Sequence, residues 1–265
     1  MDNAGARRYL ERIGLAGPVP VDSDGLRNIV VRHLATVPFE NLSIHLSEPI
    51  VLAEDALVAK IVDRRRGGFC YELNGTFAVL LEHLGFRVTR LAARVFGADG
   101  GLGPPFDHMT LRVDLDRPWL VDVGFGRFTA APVLLDETED QQDPAAVVRI
   151  QPAPYDDLDV ILDGQPQFRI DQRPRELEEF AATCWYQQTA PASHFTTSLT
   201  CSLPTPDGRV TLSDRLLITT IDGVRTERDL GSDAEVLAAY RDHFGIELDG
   251  LPVPPGSAAR LMSSN

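Results

Sequence analysis

The sequence predicts an α+β fold. Three observations carry that prediction. Apolar residues recur at helical spacing through residues 1–85, two-residue alternation replaces it from residue 86, and one more helical stretch, Asp233 to Phe244, follows the strands. The 265 residues make one large domain or two to three smaller ones sharing an interface, with enough chain for a full core.

The helical half opens with Tyr9, Leu10, Ile13 and Leu15. Asp24 is a candidate cap for a helix carrying Leu26, Ile29, Val30 and Leu34. Pro38 breaks the pattern within Val37–Leu42, where Phe39 is either core or pocket lining. Glu54 to Val62 reads as a further short helix ending in the cluster Arg64–Arg66. The rest of the chain is organised around Arg65–Gly85. Gly67 and Gly68 admit backbone dihedrals closed to other residues, Phe77, Leu80, Leu81 and Leu84 mark a helix face, and Gly85 stops it. Cys70 then lies in the first turn, where unpaired amides and the helix dipole favour thiolate over thiol. The competing interpretation is a small buried hydrophobe that happens to begin a helix.

A strand is expected over Phe86–Val95, followed by a glycine- and proline-rich loop from Gly97 to Pro105. His108–Val113 and Pro118–Phe125, joined by Asp114–Arg117, read as a hairpin. Met109, Leu111 and Val113 share one face with Trp119, Val121 and Val123, which puts His108 and Asp122 together on the other. A turn centred on Leu115 makes them direct cross-strand partners, whereas a one-residue slip separates them. A surface histidine and a surface aspartate in an ordinary hairpin remain the bland alternative. Further strands are expected at Ala145–Ile150, Leu158–Leu162, Phe168–Ile170, Leu199–Leu203, Val210–Leu212 and Leu216–Ile221. Pro174–Phe180 reads as a short acidic helix, and Leu251–Asn265 as a mobile tail.

Net charge of −14 argues against nucleic acid and anionic membrane surfaces as partners, but leaves room for an anionic ligand on a local basic patch. The three cysteines, Cys70, Cys184 and Cys201, are odd in number and far apart, which points to a reducing compartment and not to a disulfide framework. None is spaced like a zinc ligand set, and no metal is expected. No apolar run approaches a membrane span and no signal-peptide core opens the chain, so a cytoplasmic location is expected.

Cys70 at a helix start, His108 on a strand and Asp122 on the next run supply the parts of one chemistry. A cysteine nucleophile needs a base to hold the thiolate, and the base needs an acceptor on its far nitrogen to fix the tautomer. The turn Val123-Gly124-Phe125-Gly126 lets backbone approach a ligand closely.

These residues sit in segments that resemble the arylamine N-acetyltransferases, in their shorter prokaryotic form. The matching segments are Val37–Leu42, Arg66-Gly67-Gly68-Phe69-Cys70-Tyr71-Glu72-Leu73-Asn74, Trp119–Gly126, Arg173-Pro174-Arg175 and Ser193-His194-Phe195. The resemblance implies a helical bundle over residues 1–85 carrying the nucleophile, a central antiparallel β-barrel over 86–185 carrying His108 and Asp122, and an α/β lid with the tail over 186–265. It implies ping-pong transfer: Cys70 takes an acetyl group from acetyl-coenzyme A, and an arylamine or hydrazine then takes it from Cys70. By the same likeness Phe39, Phe125 and Phe195 line the acceptor pocket, and coenzyme A lies along Gly124 to Gly126 with Arg127 as the nearest cation. Glu40 and Arg66 are expected to form a structural ion pair.

Two departures from the family pattern are Arg127, where a small residue is frequent, and Asp107, where a neutral polar one is. The related amide synthases of ansamycin assembly use the same triad on an acyl chain held by a carrier protein, and form the alternative within the family. Outside it stand thiol-dependent hydrolysis and a binding protein with an inert Cys70.

Overall fold

The computed structural model describes residues 1–253. Asp2 and Asp22 open helices α1 (Asn3–Arg12) and α2 (Ser23–Leu34) by accepting the amide hydrogens of Gly5 and Gly25 at 2.7 and 2.8 Å. Asp24, the expected cap, lies inside the first turn of α2 instead. Tyr9 and Ile13 of α1 and Leu26, Ile29 and Val30 of α2 pack with Phe77, Leu80 and Leu81 of α5 (Cys70–Leu84). Helix α5 is buried on all sides as far as Leu81, so it forms the axis of the helical half. Gly85, at φ +98°, ends it in the left-handed conformation expected of a glycine stop.

Between these helices come strand β1 (Phe39–Glu40) and the single turn α3 (Leu42–His45). Helix α4 (Glu54–Val58) then widens into a π-helical stretch, Ala59–Asp63. From it Lys60 Nζ reaches Glu72 Oε1 at 2.6 Å, both side chains nearly excluded from solvent. Glu72 in turn accepts the Phe69 amide at 3.4 Å at the start of α5. Lys60→Met is therefore expected to destabilise the fold by about 3–5 kcal/mol, because it strands a buried carboxylate. Burial already raises Glu72 above its ordinary 4.5, and Lys60 is the chief group pulling it back. A carboxyl whose folded pKa exceeds its unfolded one contributes stability at low pH that is lost as pH rises through the folded value. Thermal melts at pH 5 and pH 8 should therefore show the larger deficit at pH 8, on the order of 10 °C. An equal deficit at both would mean that the carboxylate is not what suffers.

The central sheet holds β2 (Arg87–Val95), β3 (His108–Asp114), β4 (Pro118–Val121), β5 (Val133–Leu134), β6 (Gln141–Gln142), β7 (Val147–Pro152), β8 (Leu158–Leu162) and β9 (Gln165–Arg175). All pairs are antiparallel, in the order β5-β4-β3-β2-β9-β8-β7-β6. The outer strands β5 and β6 meet through one side chain. Gln141 Oε1 accepts from Leu134 N–H at 2.7 Å, and its Nε2 donates to Leu134 O at 2.8 Å. This stitch pairs the backbone of Leu134 on the β5 edge and makes the sheet a nearly closed barrel around Leu91, Val148, Val160, Phe168 and Ile170.

The hairpin differs from expectation in register. Asp114 pairs with Pro118 and Leu111 with Val121, so the turn centres on Asp116, not Leu115. That displaces the pairing by two positions: the residue level with Asp122 becomes Thr110, and His108 is its diagonal neighbour on the same face. An even slip preserves parity, so the two side chains still meet.

Strand β9 is longer than expected, running past Pro174, which sits at an irregularity opposite Leu91. Pro174–Phe180 is accordingly not a helix. The strand ends at Arg175, a 3-10 turn covers Leu177–Phe180, and α6 (Ala181–Thr189) and α7 (His194–Thr197) follow. A second antiparallel sheet, β1-β10-β11-β12-β13, combines β1 with β10 (Thr200–Thr205), β11 (Gly208–Ser213), β12 (Leu216–Ile221) and β13 (Val224–Asp229). Helix α8 (Asp233–Phe244) covers it with Val236, Tyr240 and Phe244. Val253 N–H donates to His45 O at 2.9 Å. The rest of the expected tail lies outside the described residues. Among those described, no helix is long and apolar enough to cross a membrane.

Candidate active site

Cys70 is the first residue of α5 and is 4% exposed. The glycine pair before it works by close approach. Neither Gly67 nor Gly68 adopts positive φ; Arg65 does, at +53°. A Cβ on Gly67 would stand 2.0 Å from Pro38 O, and one on Gly68 would stand 2.7 Å from Glu72 Cβ. Glu40 N–H donates to Gly68 O at 2.9 Å, so the Cys70 turn is laced to β1. Arg66 Nε donates to the buried Glu40 carboxylate at 3.1 Å and its guanidinium meets Glu48 at 3.2 Å, the ion pair expected of Arg66 and Glu40.

His108 begins β3 and is 2% exposed. Its Nε2 lies 2.5 Å from Asp122 Oδ2, just past the end of β4. That leaves Nδ1 as the ring nitrogen available to the Cys70 thiol, which is near enough to help raise the pKa of the imidazole. Asp122 is held on its other oxygen. Asn74 Nδ2 and the Gly124 amide both donate to Oδ1 at 2.9 Å, while Asn74 also bonds Met109 O and the Val123 amide. Asn74 was not singled out from sequence, although it stands four residues beyond Cys70, one helical turn along the same face. A polar side chain one turn beyond Cys70 was the available signal.

Burial pulls His108 down, but the Asp122 charge and hydrogen bond, with a smaller contribution from Cys70, outweigh it and hold the imidazole up at about 10. The thiol departs from the sequence expectation. Burial pushes Cys70 above its ordinary value, and His108 opposes that without cancelling it. Dipole and free amides favour thiolate at a helix start, but desolvation is the larger effect here. Thiolate at this position depends on the imidazolium beside it.

Phe39, Phe125 and Phe195 are half-buried, whereas Phe69, Phe77, Phe168 and Phe180 are fully buried. Phe125 stands edge-on to the His108 ring at 5.1 Å between centroids. Phe195 packs edge-on against Phe69, the neighbour of Cys70, at 5.3 Å, and lies 6.4 Å from Phe39. Gly124 passes so close to Cys70 that a Cβ would be 2.7 Å from Cys70 Cα. Gly126, at φ +88°, faces the Phe39 ring, which a Cβ would meet at 3.3 Å. Arg127 is exposed beside them. Arg209 of β11, not anticipated, is close enough to share its field: burial and then the Arg127 charge lower its pKa, and its NH1 donates to Ser202 Oγ at 2.8 Å. Phe39 and Phe195 thus pack against the cluster that holds Cys70, Phe125 stands against His108, and Arg127 is exposed.

The arrangement offers a nucleophile, a base held in one tautomer, and amides of Cys70 and Tyr71 that a helix start leaves without intrahelical partners. Among the described residues no group of three His, Cys, Asp or Glu side chains is disposed to hold a metal ion. Comparison with known proteins bears on what this site acts upon. A family model described as N-acetyltransferase matches residues 22–252. An arylamine N-acetyltransferase of Mycolicibacterium smegmatis is 39% identical over 253 residues, covering 92% of each chain. The arylamine N-acetyltransferase of Escherichia coli is 32% identical over 251 residues, covering 91% of this chain and 88% of its own. The solved structure of Mycobacterium marinum arylamine N-acetyltransferase in complex with CoA superimposes with a TM-score of 0.82 at 33% identity, covering 92% of this chain and 93% of that one.

Proposed function

Since the chain belongs to the arylamine N-acetyltransferase family, we propose that it moves an acetyl group from acetyl-coenzyme A to an arylamine or hydrazine by a ping-pong mechanism through acetyl-Cys70. The observation that carries this reading is the buried contact of His108 with both Cys70 and Asp122. In the first half-reaction the Cys70 thiolate adds to the thioester carbonyl, the C–S bond to coenzyme A breaks, and the departing thiolate takes its proton from His108. In the second, the amine adds to acetyl-Cys70, gives a proton to His108, and Cys70 leaves as thiolate. Exchange of one thioester for another is nearly balanced in energy, so the protein's task is to make thiolate available and to exclude water. Burial of Cys70 serves the second need at the expense of the first, and His108 restores the first.

On this reading residues 1–85 supply the nucleophile, residues 86–185 the imidazole and carboxylate, and the segment from residue 186 one wall of the acceptor pocket through Phe195. Phe39 and Phe125 form the other walls. Gly124, Gly126 and Arg127 meet the coenzyme on this reading; that a Mycobacterium marinum relative was solved in complex with CoA supports a coenzyme A thioester as the donor. The relatives are named for arylamine acetylation, which favours this over macrolactam formation on a carrier protein.

The test is intact-mass measurement after mixing with acetyl-coenzyme A. One acetyl group is expected on the protein, mapped to Cys70, and its loss on adding an arylamine. Acetylated product formed while the protein never gains mass would replace the covalent route with direct transfer.

A further inference from the structure

Asp107 precedes His108, and its side chain leads away from it into the α6–α7 turn. Gln187 Nε2 donates to Asp107 Oδ1 at 2.6 Å. The other end of the same amide, Gln187 Oε1, accepts from Ser193 Oγ at 2.6 Å, and Ser193 Oγ accepts the Phe195 amide at 3.2 Å. Gln187 and Ser193 are buried. The chain of bonds thus runs from the neighbour of His108 to Phe195, whose ring rests on Phe69 next to Cys70. Its starting point is fixed, because the Tyr71 hydroxyl reaches the carbonyls of Phe106 and Asp107 at 2.8 and 3.0 Å.

We propose that Asp107, Gln187 and Ser193 form a positioning relay that sets the acceptor side of the cleft by fixing Phe195 relative to Cys70. The proposal rests on the functional reading above, in which Phe195 walls the arylamine pocket. Phe195 has a second tether: Asn41 Nδ2 donates to its carbonyl at 3.0 Å, with His45 Nε2 at 3.1 Å. Asn41 and His45 hold the carbonyl side and the relay holds the amide side. With the relay cut, the residue pivots on the remaining tether and its ring loses its fixed distance from Cys70. The aryl ring of the acceptor feels that displacement, whereas the acetyl carbonyl approaching Cys70 does not depend on it.

The experiment separates the two half-reactions in Asp107→Ala, Asp107→Asn, Gln187→Leu and Ser193→Ala. Cys70 acetylation by acetyl-coenzyme A is followed by intact mass, and KM and kcat are measured against a small arylamine. For Asp107→Ala, Gln187→Leu and Ser193→Ala the acceptor KM should rise about tenfold, since a misplacement near 1 Å is costly. The rate of Cys70 acetylation should stay within about twofold of the parent. Asp107→Asn keeps an acceptor oxygen for Gln187, so it should restore the parent KM; a role of the carboxylate charge would not be rescued this way. Unchanged acceptor KM in the three disrupting variants, or parallel loss of both half-reactions, overturns the relay. Should Asp107→Ala not fold, Gln187→Leu and Ser193→Ala carry the same comparison. Failure of the parent protein to form acetyl-Cys70 is a separate outcome: it removes the functional reading, and the relay with it.

Discussion

Cys70→Ala should yield a folded protein that takes no acetyl group from acetyl-coenzyme A and delivers none to an arylamine. The structural cost is small. One buried sulfur is lost from a cluster that keeps Phe69, Tyr71, Met109 and Phe180, worth about 1 kcal/mol by analogy with a single buried methyl. For a chain of this length that lowers the melting temperature by about 3 °C. The chemical cost is total for a covalent route, because the two other cysteines cannot substitute. Cys184 and Cys201 are buried, and burial raises the thiol pKa of both. A fall in kcat/KM of at least about 10⁴-fold, some 5 kcal/mol of transition-state stabilisation, is the expected result. Arylamine turnover read by chromatography, beside a thermal melt, measures both. Turnover within about a hundredfold of the parent in a folded variant would end the acetyl-cysteine mechanism.

Asp122→Asn is expected to be almost as damaging, through a tautomer. Asp122 Oδ1 accepts from Asn74 Nδ2 and from the Gly124 amide, each at 2.9 Å. Two donors converging on that position require an oxygen there, so an asparagine must turn its NH₂ toward His108 Nε2. Nε2 then becomes an acceptor, the ring proton moves to Nδ1, and Cys70 faces a donor in place of a base. The loss of charge acts in the same direction. Asp122 is the principal group holding His108 up at about 10 against burial, so without it the imidazole falls and the imidazolium is lost at neutral pH. Burial of Cys70 is then unopposed and its thiol rises further. Acyl transfer should drop by about 10³- to 10⁴-fold with the fold intact. Alkylation of Cys70 by iodoacetamide at pH 7 should slow in parallel. A variant that loses less than about tenfold in both would show that the carboxylate neither orients nor charges His108.

Much of this site was legible along the chain, for reasons tied to particular residues. Cys70 announced itself because a glycine pair, an apolar helix face and a stop at Gly85 are all local signals. His108 and Asp122 were placed on a common face by parity, which survives the two-position register error. Their exact pairing was not legible, because the turn Leu115–Arg117 offers no glycine or asparagine that would have fixed its centre. Helix α6 and strand β1 escaped notice because they owe their conformation to partners distant in sequence. Strand β13, exposed along its length, shows no apolar alternation at all. Asn74 was visible in the motif but silent, since its role appears only when Asp122 and Val123 arrive beside it.

Residue order alone was enough to put Cys70, His108 and Asp122 forward as one candidate site, for the change from helices to strands, and for the common face of His108 and Asp122. Those are consequences of short-range periodicity, which the chain carries within a few residues. Folding in three dimensions settled the rest: the upward push on the Cys70 thiol, the second grip on Asp122, the stitch at Gln141 and the tie between Asp107 and Gln187, 80 positions apart. Desolvation and long-range hydrogen bonding depend on what surrounds a group once the chain has closed, and no local stretch of sequence encodes its own surroundings.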